Sequence, residues 1–161
     1  MPARAWLWSL AVCAIAALLE GVLAGRGVAR RFAELRLPRH SPSLRVWALI
    51  GLFYYLTCFL ILERLLARSL RPWPAALAFA LVLAILLANA GWGWLFFRLR
   101  SARASFVALL PYGALVLALA AVLLGLDRVA FVILLPYLAY LGYVVWWAHQ
   151  VWRLNDPLHA P

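Results

Sequence analysis

The stretch LLPYLAYLGYVVWWAHQVWRLN, Leu134 to Asn155, sets Tyr137, Tyr140, Tyr143 and His149 inside a segment otherwise apolar enough to cross a bilayer. A phenol facing lipid tails leaves its hydroxyl without a partner, so these tyrosines, with Tyr54, Tyr55 and Tyr112 in other apolar runs, are expected to turn inward. Inward-facing phenols have two uses. They lock helices together through separate hydrogen bonds, or they line a cavity with aromatic faces and offer hydroxyls to a ligand. Position alone slightly favours the first use, and spacing moves the balance toward the second. Ile85, Asn89, Trp92 and Phe96 follow i, i+4, i+7 and i+11, which sets an amide among rings on one helix face. Trp47, Gly51 and Tyr55 recur at intervals of four, with the glycine leaving a gap between two aromatic groups.

The chemistry this set can do is recognition. No carboxylate pair, Ser/His/Asp set, HExxH, phosphate-binding loop or paired-cysteine motif is present, so the protein is expected not to be an enzyme and to need no metal or cofactor. Cys13 and Cys58 lie in apolar runs without ligand neighbours and read as small core residues. His149, one turn before the end of its segment, reads as an interfacial donor; no second ligand supports an axial haem role.

The elements that must position these residues follow from composition. The chain is 68% hydrophobic and 12% charged, with a mean hydropathy of +0.96, beyond the range of soluble globular domains. Its net charge of +10 comes from arginines spread between apolar runs, which argues against nucleic acid as a partner and for membrane lipid. All fifteen basic residues are arginine, a bias that no single site could impose. Five runs, at about 5–25, 46–64, 72–97, 104–126 and 129–152, predict an all-α integral membrane protein, one five-transmembrane-helix domain over residues 1–161. The first run has the alternative of a signal peptide, but its length and the lack of a convincing cleavage site favour a retained helix.

Arg4, Arg64, Arg68, Arg71 and Arg128 fall on one side of the membrane, and the other ten arginines on the opposite side, so the N-terminus is expected outside and the C-terminus in the cytoplasm. The loop from Arg26 to Arg45 carries most of that charge, a topology signal suited to anionic headgroups. Glu20 and Glu63 lie near opposite membrane faces with Arg26 and Arg64 close by, so snorkelling or local ion pairs are expected of them. Pro111 and Pro136 mark interior irregularity. Gly21-x-x-x-Gly25 could bring two copies together.

From Phe32 to Asn155 the sequence resembles the TspO/MBR family, the translocator or peripheral-type benzodiazepine receptor family of tryptophan-rich sensory proteins. Pro136, Tyr137, Leu138, Trp152, Arg153 and Asn155 stand where the family's fifth helix reads PYLxW and ends in WR-x-N or RLN. Asn89, Trp92, Phe96 and Phe97 match its N-x-x-W and paired FF, and Tyr54, Tyr55 and Arg64 match its second helix. Phe32, Leu35, Pro38 and Pro42 survive from its first loop, while Leu37, Arg39, His40 and Ser43 break the KPxWxPP pattern.

The resemblance implies a five-helix bundle in a bacterial membrane, with a pocket opening toward the loop between helices one and two. It implies a flat apolar ligand, a porphyrin or other tetrapyrrole such as haem, held by Trp47, Gly51, Tyr55, Asn89, Trp92, Phe96, Tyr137 and Tyr140. Arg36, Arg39, Arg45 and His149 would form the rim, the arginines meeting the ligand's carboxylates. A receptor, sensory or transport role and a homodimer would go with it. Gly51 and Tyr140 replace tryptophans associated with ligand stacking and with the porphyrin photodegradation of some relatives, so that activity is not expected. The alternative is a membrane scaffold or regulatory partner whose interior is closed by packing.

Overall fold

The computed structural model of the chain describes residues 2–68, 70 and 72–155. Arg71, counted above toward the membrane orientation, lies outside them. The described residues form helices and no strand: α1 (Pro2–Ala24), α2 (Val28–Glu34), α3 (Leu44–Arg68), α4 (Trp73–Gly93) continued by a π-helical turn over Trp94–Arg98, α5 (Ala102–Leu126) and α6 (Arg128–Asn155). Five of them are long and apolar enough to cross a membrane, and the protein is an all-α integral membrane protein with a five-helix bundle.

The helices α1, α3, α6, α5 and α4, taken in that order, close a ring in which each packs on the next. Large apolar side chains on the outer faces, such as Trp8, Ile15, Leu49, Leu87, Leu117 and Val132, are exposed, as lipid-facing residues must be. Helix ends fall where local chemistry puts them. Ser101 Oγ accepts the amide of Ala104 at 3.1 Å to start α5. Pro72 and Pro74 open α4, where a missing amide costs nothing. Gly25 ends α1 with φ of 75°, its amide returning to Gly21 O at 3.1 Å. Gly25 is therefore a terminator beyond the helix, and the Gly21 and Gly25 pair does not make a helical contact stripe.

The loop expected from Arg26 to Arg45 contains α2. Its sequence VARRFAE is short and amphipathic, with Arg30 and Glu34 paired one turn apart at 3.7 Å and Phe32 packed against the core.

The half of the bundle near the α5–α6 turn is packed solid. Ile61, Leu62, Leu65, Ala78, Val82, Val116, Leu119 and Leu123 are at most 2% exposed, and the void beside them, about 10 Å³, is at the lower limit for one water molecule. Asp127 closes this end. Its carboxylate accepts from Arg64 Nε at 2.9 Å and Nη2 at 3.0 Å, lies 3.4 Å from Arg68 Nη2, and caps α6 through the amides of Val129 and Ala130 at 3.0 and 3.2 Å. Burial alone would raise the Asp127 pKa, but these hydrogen bonds and the charges of Arg64 and Arg68 hold it below the ordinary value. Arg64 thus pairs with Asp127 of the α5–α6 turn and not with its neighbour Glu63, since adjacent residues on a helix point about 100° apart.

Candidate ligand-binding cavity

Toward the first loop the same five helices do not close. A cavity of about 130 Å³ remains, bordered by Trp47, Ile50, Gly51 and Tyr54 of α3, Asn89 and Trp92 of α4, Leu109 and Tyr112 of α5, Tyr137, Tyr140, Leu141 and Val144 of α6, and Glu20 of α1. Of the residues expected on the wall, Trp47, Gly51, Asn89, Trp92, Tyr137 and Tyr140 border this space, and Tyr55 and Phe96 do not.

Both exceptions have a geometric cause. Seven residues at about 100° each return a side chain to within about 20° of its starting direction, while eight overshoot by about 80°. Tyr54, seven after Trp47, therefore borders the cavity, and Tyr55 turns toward α1, where its hydroxyl donates to Glu20 Oε2 at 2.6 Å. Phe96 falls in the π-helical turn, whose wider winding brings it over the residue four before. It stacks on Trp92 with centroids 5.0 Å apart and planes within 8°, backing that ring from behind.

Polar contacts at the ring edges hold the wall. Trp92 Nε1 donates to Ser105 O at 3.1 Å and Tyr54 to Ile85 O at 3.4 Å. The hydroxyls of Tyr112 and Tyr137, each following a helix proline, bond to one another. Tyr140 packs edge-on to Trp47 at 6.3 Å, and its hydroxyl has no partner among the described residues. Trp47 Nε1 is buried and unpaired as well.

The first loop is strapped over this end by α6. Tyr143 donates to His40 O at 2.9 Å, Trp147 Nε1 to Ser41 Oγ at 2.9 Å, and the Asn155 amide bonds both the N–H and the carbonyl of Arg36 at 3.0 and 2.9 Å. Beneath the strap, Trp147 packs 4.8 Å from Trp47 and 5.8 Å from Phe96.

The expected rim is less coherent. Arg36, Arg39 and Arg45 are exposed at the loop end, border no part of the cavity, and make no side-chain hydrogen bond or ion pair among the described residues. His149 lies against Phe106 and Trp152, 5.3 and 5.9 Å away, and is not a rim residue. Nine positions past Tyr140 it points to the opposite side of α6. In α2, Arg31 donates to Arg100 O at 3.0 Å; burial first, and then the charge of Arg100, lower its pKa.

Glu20 is the residue that sequence reasoning misplaced. It does not pair with Arg26: it borders the cavity, and its Oε2 accepts from Tyr55 and, at 2.9 Å, from Asn89 Nδ2. A signal for this existed, since Cys13, Ala16 and Glu20 follow i, i+3 and i+7, and the first two are buried.

No curated protein matches the chain in sequence. The model of the TspO/MBR family matches residues 9–153, nearly the whole chain, and the protein belongs to that family.

Proposed function

We propose that this member of the TspO/MBR family binds a flat, largely apolar ligand in the first-loop half of its bundle, with a porphyrin or related tetrapyrrole as the leading class, in a sensory or transport role. The observation that carries the reading is a void walled by Trp47, Trp92, Tyr54 and Tyr140 in a bundle whose other half, near the α5–α6 turn, is closely packed. Apolar burial would supply the affinity, at about 25 cal/mol per Å² before ordering costs.

The present volume of about 130 Å³ is close to the roughly 150 Å³ of a cavity that admits benzene. A tetrapyrrole therefore enters by one edge, or the helices part to admit it. Gly51 supplies slack, since a Cβ there would meet no atom within 4 Å. Propionates left outside would meet Arg36, Arg39 and Arg45 at the loop end. With glycine and tyrosine at two of the family's tryptophan positions, the role proposed is binding without turnover, and porphyrin absorbance should persist when the complex is illuminated.

Titrating protoporphyrin into detergent-purified protein tests this. Wild type should saturate, and Trp92→Ala or Tyr140→Ala should each weaken binding about tenfold, the worth of one lost stacking face. Saturable binding that neither change weakens would remove the proposed wall. The small volume also suits a membrane scaffold whose void stays empty, and that reading predicts no saturable binding.

A further inference from the structure

We propose that Glu20 makes the cavity selective for ligands that carry a protonated amine on an aromatic or apolar body. The inference rests on the reading that the cavity takes a guest, and does not require that guest to be a tetrapyrrole.

Glu20 stands four residues before the end of α1, about one turn inside the span. A carboxylate at such a position is costly unless something pairs it. Its two described hydrogen-bond partners, the Tyr55 hydroxyl and the Asn89 amide, are neutral, and both converge on Oε2. Oε1 has no partner among the described residues. No cation reaches it either, because the described ion pairs join arginines to Glu34 and Asp127.

Glu20 lines the cavity together with the aromatic rings of Trp92, Tyr54, Tyr140 and Trp47. A carboxylate and several aromatic rings lining one cavity is the chemistry that stabilises an ammonium group: the oxygen accepts its N–H and the rings attract its charge. The same arrangement disfavours an anion and leaves a neutral isostere with burial alone.

Benzylammonium, benzyl alcohol and benzoate share one ring, which matches the cavity's size, and differ in charge. Their affinities for the full-length protein in a non-ionic detergent at neutral pH can be ranked by saturation-transfer NMR titration. Benzylammonium should bind at least about tenfold tighter than benzyl alcohol, and benzoate weakest. Glu20→Gln keeps an acceptor for Tyr55 and Asn89; it should cost the amine about tenfold and the alcohol less than about twofold. Equal wild-type affinity for amine and alcohol would overturn the amine inference while leaving the cavity a binding site. A preference that survives Glu20→Gln would overturn the role given to Glu20. Saturable binding of none of the three would overturn both this inference and the reading beneath it.

Discussion

Near the α5–α6 turn, Ile61, Leu62, Val82, Val116 and Leu119 fill the bundle and Arg64 and Arg68 close on Asp127; near the first loop, Trp47, Tyr54, Trp92 and Tyr140 surround empty space and Glu20 has only neutral described partners. The same five helices build both halves, so the difference lies in side-chain shape and in where polar groups are tied. Branched aliphatic side chains interdigitate to interior density. Planar rings anchored at their edges, as Trp92 is to Ser105 O and Tyr54 to Ile85 O, are held apart from one another and cannot collapse into the gap.

One substitution applied to both halves would show whether they differ energetically. Leu62→Ala, at a fully buried position, should cost about 4 kcal/mol, whereas Leu109→Ala, on the wall of an existing void, should cost about 2 kcal/mol because fewer contacts are there to lose. Denaturation in detergent measures both, and equal costs would erase the distinction. Asp127→Ala comes next in size, at about 3 kcal/mol, because it strands two arginines and uncaps α6. Protoporphyrin affinity should stay unchanged in that variant, since Asp127 lies at the other end.

A smaller effect is the pH dependence of the Asp127 contribution. Its carboxyl is held below the ordinary value of 3.8, so its stabilisation is complete above that value and is lost as pH falls through the lower native one. The melting midpoint should be level from neutrality to about pH 5 and decline below about pH 4, and Asp127→Asn should flatten that acid limb.

Much of this contrast could be read from the sequence. Apolar run lengths located the five spans, and burial of Tyr54, Tyr112 and Tyr137 follows from the cost of an unbonded phenol in hydrocarbon. The i, i+4, i+7 spacing found Asn89 and Trp92, and period-four counting found Trp47 and Gly51, but the latter drifts from 3.6 over two turns and so exchanged Tyr55 for Tyr54. The π-helical turn that withdraws Phe96 has no marker in local composition. Glu20 and Arg64 were assigned to sequence neighbours because proximity along the chain is visible there, whereas their partners on α3, α4 and the α5–α6 turn are set by packing.

Gly51→Leu tests most directly whether the open half exists to hold a guest. The new side chain starts from a Cβ with no atom within 4 Å and grows beside the void. Replacing a helical glycine should leave the melting midpoint unchanged or raise it, by up to about 1 kcal/mol of stability. Saturable protoporphyrin binding should disappear in this intact protein; binding within about twofold of wild type would contradict a ligand-holding role for the cavity.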